Sequence, residues 1–263
     1  MTSLHYEQRD QPDGVPALAL TGERTLPDVP EENYWFRRHL VVYEWIAARV
    51  PGLRVIDMAC GEGYGADVLA RSAESVIGVD ANPQAYEHAR LRYRRANLRF
   101  ERDLVDTFSA PADAVVFLQT IEHLQDPGAT LAHFRTLVAD ASAGANGGTI
   151  FVSTPNVLTL APKGAQRSGN PWHVHEYRAQ EFERLCAACF SEVRMYGLFH
   201  ARKLRVHELA LRLGWDAVHS RLHLTKRFYD RFTPAIAVRD FAVRGAGQAR
   251  LDSALDFLAV CRA

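Results

Sequence analysis

The stretch from Val55 to Gly65 (VIDMACGEGYG) narrows most sharply what this chain can fold into. An apolar run, expected to be a buried strand over 53–57, ends in an acid, Asp57. A glycine-rich turn follows, and then a helix-like run from Ala66 to Arg71. A second apolar run, Ser75 to Asp80, again ends in an acid. An open α/β sheet builds a nucleoside site from these parts. Glycines let the backbone pass close to the ligand, and the acid at the second strand tip accepts from two ribose hydroxyls.

The alternation continues, which implies parallel βαβ units. Further strands are expected at 75–79, 98–102, 113–119 and 148–153, and helices at 64–72, 82–96, 126–140 and 178–189. Asn82-Pro83 and Asp126-Pro127 each place a capping side chain before a proline at the first helical position. Runs 192–199 and 255–262 would complete a Rossmann-like, seven-stranded, mostly parallel α/β sheet with flanking helices, its last pair antiparallel. An amphipathic N-terminal helix is expected over 31–49, closed by Pro51-Gly52.

A length of 263 residues suits one domain over 21–263, behind a flexible polar tail at 1–20 that carries Pro12 and Pro16. Two insertions stand out. Residues 154–177 form a long loop after the fifth strand. Residues 200–250 open with Arg202, Lys203, Arg205, Arg212, Arg221, Lys226, Arg227 and Arg231 against three acids. This segment reads either as a solvated helical face or as a helical lid over an acceptor, where the cations would hold an anionic or polyhydroxylated molecule.

The formal net charge is zero, which argues against a nucleic-acid partner. No apolar run reaches membrane-spanning length and no leader pattern opens the chain, so a cytoplasmic location is expected. Cys60, Cys186, Cys189 and Cys261 read as core cysteines, because one isolated CxxC is a poor zinc signal. The sequence leaves the oligomeric state open.

Ligands of such sheets sit beyond the C-terminal strand ends, which places Asp57, Asp80, Ala81, Asp103, Leu104, Gln119 and Thr154 along one rim. Gly61-x-Gly63-x-x-Ala66 also satisfies the dinucleotide fingerprint, so NAD competes as the ligand. Asp57 tips the balance. An acid just before the glycines would repel a pyrophosphate, but it suits the amino group and sulfonium of S-adenosylmethionine (SAM).

Glu122-His123, after the fourth strand, interrupts an apolar run. His123 fits a general base for an acceptor hydroxyl, or a structural histidine bonded to a carbonyl. His173 and His175 in the 154–177 loop share one face of an extended segment; with Glu122 and His123 they offer an alternative, a mixed N/O divalent site (Mg), against a metal-free reading. Trp172 and Tyr177 suit stacking on a sugar or packing of the loop.

The spacing Asp57-x-Ala59-x-Gly61-x-Gly63 resembles the first motif of class I SAM-dependent methyltransferases, with Ala59 in place of the first glycine. Residues 117–124 (FLQTIEHL) and 152–156 (VSTPN) resemble segments of the ubiquinone-biosynthesis-type O-methyltransferases. Some members of that branch, and small-RNA 2′-O-methyltransferases, bind a metal through Glu-x-x-Glu-His and a later His; here Gln119 stands at the first Glu. Segments 21–28, 32–39, 61–67, 170–173 and 197–200 are similar to an actinobacterial family associated with O-methylation of methylglucose lipopolysaccharides, and the likeness weakens over 203–250. The resemblance implies SAM as cofactor, a sugar or oligosaccharide hydroxyl as acceptor, and His39 and Tyr43 near the methionine end of SAM. The alternatives are O-methylation of a non-sugar metabolite, an NAD-dependent oxidoreductase, and a non-catalytic SAM-binding scaffold.

Overall fold

A computed structural model describes residues 8–20, 24–138, 148–162, 164–222 and 224–263. Its sheet has eight strands: β1 (Arg54–Met58), β2 (Ser75–Val79), β3 (Leu98–Glu101), β4 (Ala114–Leu118), β5 (Thr149–Pro155), β6 (Glu192–His200), β7 (Phe241–Gly245) and β8 (Asp256–Arg262). Their order is β3-β2-β1-β4-β5-β8-β6-β7. Strands β1 to β5 pair in parallel, β8 inserts antiparallel between β5 and β6, and β7 runs antiparallel along β6. The chain therefore leaves β1 in one direction toward β2 and β3, and returns on its other side through β4. The crevice at that reversal is where such sheets take ligands.

The helices are α1 (Asn33–Ala47), α2 (Tyr64–Leu69), α3 (Pro83–Arg92), α4 (Pro127–Leu137), α5 (Val157–Leu160), α6 (Ala179–Cys189), α7 (Arg202–Arg212), α8 (Trp215–Arg221) and α9 (Thr225–Phe232). Asn82 and Asp126 cap α3 and α4 as expected: Asn82 Oδ1 accepts from Gln84 and Ala85 N–H, and Asp126 Oδ1 from Ala129 N–H. Helix α3 stops four residues short of the expected 96 because Tyr93 turns extended and donates its hydroxyl to buried Glu62. The expected end of α4 at 139–140 lies outside the described residues.

Apolar side chains fill both faces of the sheet. Phe117, Phe134, Phe182 and Phe257 are fully buried on one face, and Ile46, Val55, Leu69 and Phe151 pack on the other. Each large side chain so buried contributes about 1.5–3 kcal/mol. Helix α1 is fastened by a buried ion pair, Arg38 Nε donating to Asp256 Oδ2 at 2.7 Å, at the start of β8. That pair holds the polar edge of α1 over the crevice.

Three features differ from the sequence-based expectations. The sheet has an eighth strand, β7, drawn from within the 200–250 insertion. It is a half-buried edge strand, so it lacks the apolar run that marks the central strands. The insertion is thus α-helical only over α7 to α9, with a short 3-10 turn at Val238–Asp240 before β7. Residues 8–20, read as a loose tail, lie against the body: Gln8 is buried and donates to Glu62 Oε1 (3.0 Å), and the Pro16 carbonyl meets His88 Nδ1 (2.6 Å). Residues 1–7 and 21–23 lie outside the described residues. No described helix is long and apolar enough to cross a membrane.

Candidate active site

A cavity of ≈ 360 Å³ opens at the C-terminal ends of β1 and β2. Ala59, Gly61, Asp80, Ala81, His39, Tyr43 and Gln119, all expected as ligand residues, line it. Gly61 has φ +57, and a Cβ there would point into open space, so the backbone leaves room for a ligand. Asp80 orders this turn: Oδ2 accepts from Gly61 N–H (2.7 Å) and Oδ1 from Asn82 N–H (2.8 Å). Each carboxylate oxygen keeps a second lone pair for a ribose hydroxyl.

Asp57 lies beneath the cavity, fully buried at the end of β1. Its Oδ1 accepts from Tyr43 Oη at 3.2 Å. Its Oδ2 is the only buried side-chain polar atom without a partner among the described residues. Burial pushes its pKa up to about 8, with the nearby Asp80 charge adding to the rise and the Tyr43 bond opposing it. Tyr43 reaches Asp57 because α2 carries Gly65, where a Cβ would sit 2.1 Å from the Tyr43 ring. Burial lowers the His39 pKa to about 4, and its Nδ1 meets Thr25 Oγ1 at 3.2 Å.

The remaining expected ligand residues, Asp57 among them, do not line the cavity. Gly63 does not line the cavity; its φ of +97 and the Ala89 Cβ, 2.8 Å from where its own would be, make it a packing residue between the turn and α3. Asp103 and Leu104 do not line the cavity either. The chain turns outward after β3, so Asp103 Oδ1 accepts from Leu104 N–H and Thr107 Oγ1 while Leu104 is exposed. Arg24 and Thr25 are wall residues that no motif spacing marked.

A second cavity of ≈ 490 Å³ adjoins the first, and the two share Arg24, Thr25, His39, Gln119 and His123. Gln119 holds a strained φ of +53 at the end of β4, fixed by bonds from its N–H and Nε2 to Ser153 Oγ. His123 Nδ1 lies 2.9 Å from the Trp172 carbonyl. A carbonyl only accepts, so Nδ1 carries the proton and the neutral ring leaves Nε2 as a base. The 154–177 loop thus orients His123, and it also lines the second cavity through Pro155, Leu160, Asn170 and His173. Trp35 of α1, 38% exposed, is the aromatic side chain in this cavity. Trp172 points away into solvent and Tyr177 is buried against Phe182, so neither is placed to stack on a ligand. No described residue of 200–250 lines either cavity.

Of the four candidate metal ligands, Glu122, His123 and His173 come together, with ligand atoms all within 4.8 Å of one another. His175 faces away and pairs with Glu181 at 2.7 Å. Burial raises the Glu122 pKa to about 8, against the opposing bonds from its own backbone N–H and from Thr154 Oγ1. His173 Nδ1 is held by Glu176 (2.8 Å), an orientation that metal-bound histidines commonly share, while its Nε2 meets Asn170 Nδ2 at 3.0 Å. One carboxylate and two imidazoles fit a divalent ion. The cysteines are free, three of them buried, and none belongs to a described metal-type cluster.

Comparison with known proteins decides between the two nucleoside ligands. A family model described as "Methyltransferase domain" matches residues 23–209. A "probable S-adenosylmethionine-dependent methyltransferase" of Mycolicibacterium smegmatis is 39% identical over 256 residues, spanning 93% of this chain and 95% of its own. The chain belongs to the class I SAM-dependent methyltransferases. A ubiquinone biosynthesis O-methyltransferase of Xanthomonas campestris is 32% identical over 149 residues, covering 51% of this chain and 60% of its own. The crystal structure of a SAM-dependent methyltransferase from Mesorhizobium loti shares the fold, with a TM-score of 0.53 at 16% identity over 84% of this chain and 98% of its own. Membership sets aside the NAD-dependent oxidoreductase. The open space at Gly61 leaves room for the nucleoside.

Proposed function

We propose that this methyltransferase acts on a hydroxyl oxygen of a sugar or short glycan, with His123 as general base. The observation that carries the reading is the placement of His123. Its Nδ1–H is held by the Trp172 carbonyl, and the ring stands where the two cavities meet. In this reading the adenosine lies over Gly61 and Asp80, and the acceptor fills the cavity beside Trp35. When bound, SAM supplies an electrophilic methyl whose bond to sulfur breaks with its electron pair left on sulfur. Nε2 takes the acceptor proton as the new carbon–oxygen bond forms. An alcohol has a pKa near that of water, roughly 16, so it needs such a base. Trp35 offers an apolar ring face, and Arg24, Glu32 and Asn170 offer polar groups, a combination that suits a polyhydroxylated ring. The partial likeness to an O-methyltransferase supports oxygen as the acceptor atom. Positioning by the 154–177 loop, which both orients His123 and walls the acceptor cavity, supplies much of the rate.

A second reading rests on the Glu122–His123–His173 cluster. These three side chains would hold a divalent ion, and the ion would acidify the acceptor hydroxyl. The test is a methyl-transfer assay with labelled SAM against a panel of glycans, phenols and other alcohols. His123→Ala should lower kcat about a hundredfold or more while SAM affinity is retained. Full activity in chelator removes the metal reading; loss restored by a divalent ion removes the metal-free one. Wild-type activity in His123→Ala rejects both.

A further inference from the structure

Helix α5 separates the acceptor cavity from a larger groove. Leu160 faces the cavity, and Thr159 lines a groove of ≈ 960 Å³ on the other side. One wall of the groove is a stripe of α7. Arg202, Arg205, Val206, Leu209 and Arg212 recur at three- and four-residue spacing, which puts them on one face of the helix. The opposite wall brings Phe199 from β6, Arg244 from β7 and Leu255.

Four arginines therefore line one concavity in a chain whose formal net charge is zero. Glu208 is the acid in the groove, and it is already engaged by His200 Nδ1 (3.1 Å) and by Arg212. Arg202, Arg205 and Arg244 have no carboxylate partner among the described residues. Converging like charges repel unless an anion joins them, and the guanidinium fork matches the oxygens of a phosphate. Between the arginines, Val206 is 69% and Leu209 57% exposed. Apolar surface alternating with cations on one concave wall asks for an aliphatic body behind the anion.

We propose that this groove is a second ligand site that takes a phosphate-bearing amphiphile. The phosphate lies among Arg202, Arg205 and Arg244, and the aliphatic portion runs along Val206 and Leu209. The same chemistry is found in a soluble single-chain phosphate and in a bilayer headgroup. The site is separate from the acceptor reading and stands whether or not that reading holds.

The test uses the full chain with its SAM cavity filled by S-adenosylhomocysteine. Octyl phosphate is titrated calorimetrically beside inorganic phosphate and octyl glucoside. Octyl phosphate should bind about tenfold or more tightly than inorganic phosphate, and any octyl glucoside binding, which the acceptor cavity would take, should be the same in the arginine variants as in wild type. Arg202→Gln/Arg205→Gln and, separately, Arg244→Gln should each weaken octyl phosphate about tenfold with S-adenosylhomocysteine affinity unchanged. Val206→Ser/Leu209→Ser should weaken octyl phosphate and leave inorganic phosphate as it was. Cosedimentation with phosphatidylcholine vesicles containing phosphatidic acid, lost in the arginine variants, assigns the phosphate to a bilayer; octyl phosphate binding without cosedimentation assigns it to a soluble molecule. Absence of both kinds of binding, or equal octyl phosphate affinity in wild type and arginine variants, overturns the proposal.

Discussion

Replacing Asp57 with Asn should make the empty protein more stable at neutral and alkaline pH and at the same time weaken its hold on SAM. The carboxyl is buried, one of its oxygens is unpartnered, and its pKa stands at about 8 against an ordinary 3.8. Below the ordinary value it is protonated folded and unfolded alike, and it adds no pH dependence. Between the two values the folded protein holds the proton and the unfolded chain does not, so stability falls as pH rises. The slope is up to about 1.4 kcal/mol per pH unit, and the full cost above pH 8 is at most roughly 5–6 kcal/mol. Glu122, raised in the same direction from 4.5 to about 8, titrates in both proteins and cancels in the comparison. Asn is nearly isosteric and does not titrate. Urea unfolding at pH 5.5 and 7.5 should therefore show the stability of Asp57→Asn over wild type growing by about 2–3 kcal/mol between the two pH values. In calorimetry the same variant should bind SAM more weakly by about 1.5–3 kcal/mol, since a charge-assisted partner of the ligand is gone. A stability difference that stays constant with pH would refute the reasoning, and unchanged SAM affinity would separate the buried charge from the ligand.

Asp80→Ala should weaken SAM by about 1.5–3 kcal/mol through loss of bonds to the ribose, with part of the effect coming from the Gly61 turn that Asp80 holds; wild-type affinity in a calorimetric titration would take Asp80 out of the site. Ala59 sits at φ +55, where a side chain costs about 1–2 kcal/mol. Ala59→Gly should thus raise the unfolding free energy by up to about 1 kcal/mol after the entropy that glycine adds to the unfolded chain; a loss of stability in urea would show that the Ala59 methyl is needed for packing.

The parts of the fold that local pattern controls could be read from the sequence. Strands β1, β2, β4 and β5 are apolar runs buried on both faces, and α3 and α4 start at Asn82 and Asp126 because caps are local chemistry. The end of α3 was not legible, since Tyr93 leaves the helix for a glutamate thirty-one residues away in sequence. Strand β7 was hidden because an edge strand with one covered face needs few apolar residues. In the site, Asp57, Asp80, Gly61 and His123 stood out as acids or glycines at strand ends and a polar pair in an apolar run. Gly63 and Asp103 do not line the cavity, for one shared reason. Their spacing fits a ligand contact, but close packing against Ala89 in one case and an outward turn in the other decide where they point. Arg24, Thr25 and Trp35 reach the cavities only through the tertiary placement of α1 and the segment before it, which no periodicity encodes.

The most direct measurement is a crystal structure of the full chain with S-adenosylhomocysteine. The account predicts ribose hydroxyls on Asp80, the amino group facing the free oxygen of Asp57, and the thioether sulfur turned toward His123 and the cavity beside Trp35. A sulfur directed away from that junction, or an adenosine lying outside the Gly61–Asp80 cavity, would contradict it.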